Sequence, residues 1–434
     1  MSSSRSLFAV LGRNPLFRRL WTAQLISQTG DWLSRTAILG LLSTLGGRDA
    51  LLGAGALYAV ELATRLLPNA LLYPLAGPAA DRLSRRALLV GADVCRIFVV
   101  LAILLVDEPS ELPLLYALIV AQVGIGTFFA AAQSAAIPGT VGPDELHDAY
   151  ALSSATWSFT LSLGAVSGAV IVHVLGVKGA LLVDAATYAV SASLLWGLRL
   201  RPVESQPERF RMRDVFLFTD LRRGLAHVRE RGAAVLLAAK SLWGGAGGFL
   251  VALSLLSRER FAERGADGLA TPESVGLIVG FFYAARGVGT GLGPVIARSL
   301  AGSSDASLRR QVQLGFLLGS LGYALVPFAG TLAVALACVA LAHSGGSMLW
   351  VASTTFWQRR IDDSFRGRVF ALEFLGMTLT FALGGFVAAA VFDTTGDLDR
   401  MLWCSCALVL LGGVLWSWLA RRPRGHDPAT RADA

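Results

Sequence analysis

The stretch Gly77-Pro78-Ala79-Ala80-Asp81-Arg82-Leu83-Ser84-Arg85-Arg86 sets one carboxylate among three arginines, between an apolar run at 51–76 and another at 86–106. About 20 mostly apolar residues are enough to cross a bilayer as a helix. The stretch therefore reads as a short basic connection at one face of a membrane. Composition agrees: 54% of the 434 residues are hydrophobic and 16% charged, where a soluble domain carries about 25% charged residues. Mean hydropathy is +0.59. The polar residues are too few to coat the two or three soluble domains that this length would otherwise suggest.

Outward from that stretch, twelve apolar runs follow one another, at 16–45, 51–76, 86–106, 112–137, 149–175, 177–198, 233–256, 272–297, 309–328, 331–356, 369–392 and 400–420. They are long, continuous and rich in Leu, Ala and Gly, whereas barrel strands are short alternating segments. The expected fold class is an all-α membrane protein of twelve transmembrane helices in two six-helix halves. With the N-terminus in the cytoplasm, 27 Lys and Arg residues fall in cytoplasmic segments and 6 in outer loops; that asymmetry favours both termini inside. The expected organisation is a first half at 1–198, a linker at 199–232, a second half at 233–420 and a tail at 421–434.

The halves show a faint repeat. Gly77-Pro78 matches Gly293-Pro294, Arg82 matches Arg298, Arg85-Arg86 matches Arg309-Arg310, and Ala149-Tyr150-Ala151-Leu152 matches Val369-Phe370-Ala371-Leu372. Two such halves with a basic linker is a layout of secondary transporters, whose substrates bind between the halves near the midplane. The linker contains Pro202 and Pro207. Its segment 214–231 reads either as solvated connection or as an amphipathic helix on the anionic inner leaflet. Cys95, Cys338, Cys404 and Cys406 form no CxxC pair and read as small buried hydrophobes. No cleaved signal peptide is expected.

The stretch at 77–86 resembles the signature loop of the major facilitator superfamily, G-x-x-x-D-R-x-G-R-R, with Ser84 at the second glycine. The segments NPLFRRLWTAQLISQTGDWL (14–33), FFAAAQSAAIPGTV (128–141) and SFRGRVFALEF (364–374) resemble the branch that includes macrolide efflux proteins and the enterobactin exporter. The resemblance implies alternating access, a small-molecule substrate, a proton as coupling ion, no cofactor, and a multi-pass monomer in a bacterial inner membrane. It also implies that Gly77, Asp81, Arg82, Arg85 and Arg86 latch the halves in the state closed to the cytoplasm, against Arg366 and Arg368. From charge alone the same loop is a positive-inside anchor. Two departures count against an ordinary drug/proton antiporter: Ile119 and Val120 stand where that pattern has a base, and Gly164-Ala165-Val166-Ser167-Gly168 lacks the expected proline.

Ionisable residues inside a span are costly and so are candidates for function. Gln24, Gln28, Asp31 and Arg35 share one helical face; Asp31 is a proton or cation site, or else a structural partner of Arg35. Tyr58, Glu61, Arg65 and Asn69 share another face, with Glu61–Arg65 as an i,i+4 pair or a proton relay. Asp93 and Arg96 are expected to support the loop at Asp81. Lys240 either holds an anionic group or snorkels to the edge. Arg286 needs an acid across the cavity or an anion, and the glycines around it read as tight helix packing. His343, Ser347, Trp350, Thr354 and Trp357 lie along one face, and Gln122, Phe129 and Gln133 along another. Glu373 is expected at the gate.

The sequence offers no P-loop, no HExxH motif and no nucleophile elbow, so neither ATP-driven transport, metal hydrolysis nor acyl transfer is indicated. Its basic segments lack interleaved aromatics, and no nucleic-acid partner is expected. The first functional reading is proton-coupled export of small amphipathic organic molecules resembling drugs, macrolides or siderophores. The second is a translocator or importer of lysophospholipid-like lipids.

Overall fold

A computed structural model describes residues 9–45, 52–198, 217–266, 268–301, 304–362 and 365–421. Among the described residues the chain is helical apart from turns and one isolated antiparallel bridge, Arg264 with Ala270. A short α1 (Ala9–Arg13) leads into α2 (Pro15–Leu45), α3 (Ala54–Arg82), α4 (Arg85–Ile103), α5 (Leu112–Ala136) and α6 (Leu146–Trp196). Then come α7 (Leu217–Glu230), α8 (Ala234–Leu242), α9 (Ala246–Leu256), α10 (Pro272–Ala301), α11 (Asp305–Leu325), α12 (Leu332–Gln358), α13 (Arg366–Thr395) and α14 (Leu398–Arg421).

Each of the twelve apolar runs is mostly helical over its described residues. Among the described residues, eight stretches are long and apolar enough to cross a membrane on those two criteria, and one of them, Pro143–Trp196, contains two runs. α2, α3 and α4 follow the first three runs but carry the in-span charges Asp31, Arg35, Glu61, Arg65, Asp93 and Arg96, which lower their hydropathy.

Local chemistry explains the boundaries. The basic stretch at 77–86 is mostly helix: α3 continues through Pro68, Pro74 and Pro78 to Arg82. Ser84, the residue that departs from the resembled pattern, caps α4 by accepting from Ala87 N at 3.4 Å. Thr331 caps α12 in the same way. α6 is broken at Gly176, whose φ of 72° and ψ of 175° suit glycine alone; this residue separates the fifth run from the sixth. Trp243, Gly244 and Gly245 separate α8 from α9.

α2 packs along α6, α3 along α5, and α4 along both α5 and α6. On the other side α10 and α11 pack on α12, while α13 and α14 enclose α8 and α9. A Cβ added at Gly289 or Gly293 would strike the backbone of α12 at Ala340 or Ser344, so these glycines set a close helix–helix approach. Large apolar side chains such as Phe98, Leu105, Trp196, Val295, Leu383 and Val414 remain exposed, as expected of surfaces facing lipid.

The end at which α2 begins and α14 finishes is here the termini end, and the opposite end the far end. α10 crosses α2 and α6, and α13 packs on α3. Gly40 meets Pro272, Gly276 meets Val172, and Gly280 meets Ala165 and Ala169. Asp393 of α13 accepts from Gly55 N at 2.7 Å and Ala56 N at 2.9 Å, capping α3 from the other bundle. All but the Gly280 contacts lie within about three helical turns of the far end.

At the termini end the apolar cores separate. Val10, Phe17, Leu20, Phe129, Ala149 and Leu195 form their own cluster. Val228, Phe356, Trp357, Val369 and Trp416 belong to the main cluster, which reaches the first bundle only through residues nearer the far end, among them Ile38, Leu57, Ile103 and Val172. Arg13–Glu145 at 3.0 Å, Arg231–Asp362 at 2.6 Å and Arg360–Asp305 at 2.8 Å each stay on one side of the divide. Among the described residues the bundles meet at the far end, and their apolar cores part at the termini end. The basic stretch before α8 contains α7. His227 stacks on Phe365 with ring centroids 4.0 Å apart, and Val228 is buried, so this helix docks on the second bundle.

Candidate functional site

α2 contributes the first group. Its successive turns bring Gln24 to the Ser153 carbonyl at 3.3 Å, Gln28 to Thr160 at 3.5 Å, and Asp31 and Arg35 toward the interior. Asp31 and Arg35 do not pair with each other. Asp31 Oδ1 accepts from Tyr188 OH at 2.5 Å and faces Arg96 Nη1 at 3.4 Å. Arg96 also pairs with Asp93 and donates to Ser27 at 3.1 Å. Its guanidinium lies 4.3 Å from the Tyr188 ring centroid and 4.6 Å from that of Phe129. Gln122 donates to Ser34 and Tyr188 OH, both at 3.1 Å. Asp184 lies one turn before Tyr188 on α6 and is fully buried, with Thr187 donating to it at 3.4 Å.

Asp31, Asp93 and Asp184 thus share this region with one guanidinium. Asp31 is the open member, its side chain 43% exposed against 0% for Asp93. Asp93 and Arg96 are therefore not props for the loop at Asp81; they sit in the bundle beside Asp31. The sequence reading missed Asp184 and Tyr188. A signal was present, since an acid with a tyrosine at i+4 interrupts the apolar run around 184–188.

A second group lies between the bundles. Glu61 pairs with Arg65 on α3, and Arg35 Nε approaches the same carboxylate oxygen at 3.8 Å. The Arg35 guanidinium carbon lies 4.6 Å from the Tyr283 ring centroid, and that of Arg286 5.6 Å from it. Trp32 packs on Tyr283 at 5.4 Å. No acid pairs with Arg286 among the described residues. His343, expected on a cavity-lining face, meets Tyr323 OH at 3.0 Å.

The third group joins residues that the sequence presents separately. Lys240 Nζ donates to Glu373 and to Thr354, both at 2.7 Å, and sits 4.2 Å from the Trp350 ring centroid. Trp357 Nε1 donates to the other Glu373 oxygen at 3.0 Å. Lys240 and Glu373 are almost wholly buried. Lys240 therefore does not snorkel, and Glu373 is its counter-charge inside the second bundle. Breaking such a pair leaves an uncompensated buried charge.

The latch expected between Asp81 and Arg366 or Arg368 falls on an Asp81 side chain outside the described residues, and the Arg82 side chain lies outside them too. Gly77 lies within α3, and Arg85 and Arg86 begin α4. Arg366 donates to the Gln358 carbonyl at 3.3 Å, and the Arg368 guanidinium stacks on Phe365 at 5.2 Å.

A model of the Major Facilitator Superfamily matches residues 20–266. The chain belongs to that superfamily, and it is a multi-pass membrane transporter of its type. It is 28% identical over 422 residues to an uncharacterized MFS-type transporter of Mycobacterium tuberculosis, covering 94% of this chain and 92% of the relative. An uncharacterized MFS-type transporter of Bacillus subtilis, YkuC, is 22% identical over 199 residues, covering 45% of this chain and 44% of the relative.

Among solved structures, the nucleoside transporter NupG superposes with a TM-score of 0.69 at 12% identity, covering 94% of this chain and 100% of that one. An inward-facing bacterial homologue of the iron transporter ferroportin gives 0.65 at 17%, covering 94% and 99%. At these identities the likeness concerns the fold. The all-α class expected from the sequence agrees with this membership.

Proposed function

We propose that the protein is a secondary active transporter working by alternating access, with twelve spans, both termini cytoplasmic, and halves at 1–198 and 233–420 joined by the linker at 199–232. In that orientation the far end is extracellular and the described state is open to the cytoplasm. The observation that carries the reading is the network on Asp31. A half-exposed carboxylate sits mid-helix at the parted face, joined by Tyr188 and Arg96 to a buried charged group. Intramembrane ionisable groups that face an aqueous path mark ion and substrate routes. Asp31 offers a place where a proton can be exchanged with the cavity. The resemblance to macrolide and enterobactin exporters favours export of small amphipathic molecules, driven by protons. One proton moved across 100 mV supplies about 2.3 kcal/mol.

A second reading has one observation in its favour. Leu25, Thr29, Phe159, Thr160 and Leu163 line an apolar groove between α2 and α6, with Phe159 and Leu163 on the exposed surface. Such a groove suits sideways entry of a lysolipid. The test is intracellular accumulation of a panel of antibiotics, siderophores and lysolipids in an efflux-deficient bacterial host. Wild type is compared with Asp31→Asn, with and without an uncoupler. Proton-driven export predicts that wild type alone lowers some compound and that the uncoupler removes the difference. Movement of lysolipids alone, indifferent to uncoupler, gives the second reading.

A further inference from the structure

Arg35, Arg65 and Arg286 converge where the two bundles meet, and their charges do not balance. Glu61 is the carboxylate that touches two of them. It pairs with Arg65 and stands 3.8 Å from Arg35. Arg35 and Arg286, from opposite bundles, lie 4.6 and 5.6 Å from one aromatic ring, that of Tyr283. Asn69 and Thr290 donate to the backbone carbonyls of Arg65 and Arg286, and the other polar neighbours among the described residues include phenols and an imidazole. Tyr58 lies near Glu61, and Tyr323, bonded to His343 at 3.0 Å, lies near Arg286. Arg258 and Glu259 pair with each other at 3.4 Å nearer the far end. Among the described residues, three guanidiniums thus gather here around one carboxylate, which reaches Arg35 and Arg65 but not Arg286.

The donor inventory is also incomplete. Arg35 Nε, Arg65 Nη2 and Arg286 Nε are buried nitrogens without a hydrogen-bond partner among the described residues. A guanidinium carries five N–H donors and no acceptor, and a transmembrane arginine pairs with an acid or faces a water-filled path. These three have unused donors and keep slight exposure, 15% for the Arg35 side chain and 13% for Arg65. From the 1.5 Å rise per residue, Arg35, Arg65 and Arg286 lie about 15–21 Å below the far ends of their helices. That is mid-membrane depth, past the closure formed by α3, α10 and α13.

We infer that this cluster is the binding site for an anionic group, a carboxylate or phosphate monoester, carried by an organic molecule whose apolar or aromatic part packs on Trp32 and Tyr283. The inference rests on the transporter reading and narrows its substrate class. Planar N–H pairs of arginine match carboxylate and phosphate oxygens. Because Arg35 and Arg286 come from different bundles, an anion held by both bridges them, and rocking the bundles apart at the far end breaks the bridge.

The test is binding to purified full-length protein in nanodiscs of neutral phosphatidylcholine, read as a shift of thermal unfolding. The probes are phenyl phosphate, benzoate, benzyl alcohol and benzylammonium. Stabilisation by the two anions but not by the alcohol or the cation is expected. Arg286→Gln should weaken the apparent affinity for the anions about tenfold, and Arg286→Lys should restore part of it. The unliganded unfolding temperature of each variant reports whether it folded.

Repeating the titration in phosphatidylglycerol nanodiscs separates two sources of the anion. Undiminished protection assigns the site to a soluble anion, and lost protection with a raised unliganded stability assigns it to a lipid headgroup. Protection by benzylammonium alone, or anion protection unchanged in Arg286→Gln, overturns the inference. Uncoupler-sensitive accumulation confined to cationic compounds overturns it too while leaving the transporter reading intact; loss of all transport by wild type removes the transporter reading itself.

Discussion

At the level of single residues, the buried charges of the Asp31 and Lys240 groups have partners that the sequence only partly discloses. Pairs within one helix, such as Glu61–Arg65, are legible because i,i+4 spacing puts them on one face. Lys240–Glu373 is not, since 133 residues separate them and nothing local joins α8 to α13. Asp31 illustrates the same limit: spacing suggests Arg35, and packing supplies Tyr188 and Arg96. Removing one partner of a buried pair should cost about 3–5 kcal/mol. Glu373→Gln is therefore expected to lower thermal stability markedly, and Lys240→Met combined with Glu373→Leu to recover most of it. Unfolding curves of the three proteins in one detergent check this; equal loss in the single and double variants would show that the site depends on shape and not on charge. Tyr188→Phe removes the hydrogen bond to the Asp31 carboxylate, which water also reaches, and the one accepted from Gln122, each worth about 1 kcal/mol. Transport should slow several-fold with folding retained, as initial rates in vesicles will show.

At the level of elements, boundaries follow from local chemistry and were largely readable. Apolar length marks the helices, Ser84 and Thr331 are ordinary N-caps, and Gly176 falls between two runs. Less readable was the continuation of α3 through Pro78 to Arg82, because the basic residues there resemble a loop. Gly176 occupies backbone space closed to other residues, so Gly176→Ala should cost about 1–3 kcal/mol. Chemical unfolding of the purified variant measures it, and an unchanged midpoint would contradict the strained geometry.

The cap that Asp393 places on α3 had no signal in the sequence, as its partners are backbone amides 337 and 338 residues away. Losing an N-cap costs about 0.5–2 kcal/mol. Asp393→Ala should loosen the far-end closure by that amount, raising the population open there between about twofold and thirtyfold. Labels on Thr44 and Phe328, both exposed near that end, in a background without the four native cysteines, report the opening by single-molecule energy transfer. An unchanged distance distribution would remove Asp393 from the closure.

For the whole molecule, the fold class was legible from apolar runs alone, and the family from the stretch at 77–86. The state was not. Whether the bundles meet at one end or the other depends on contacts such as Gly40 with Pro272 and Asp393 with Ala56, which exist in one arrangement only. Two bundles that meet at the far end and part at the termini end fit one half of the proposed alternating-access cycle, and in that proposal Asp31 biases the exchange with the other half.

The most direct measurement is simultaneous distance reporting at both ends of the protein in liposomes. One label pair sits at Ser134 and Gln358 near the termini end, the other at Thr44 and Phe328 near the far end, all four positions exposed. The account predicts opposed changes: molecules in which the first pair draws together show the second pair apart, and Asp31→Asn shifts the balance between the two populations. Both pairs moving in the same sense, or one fixed distance at each end under every pH and membrane potential applied, would contradict it.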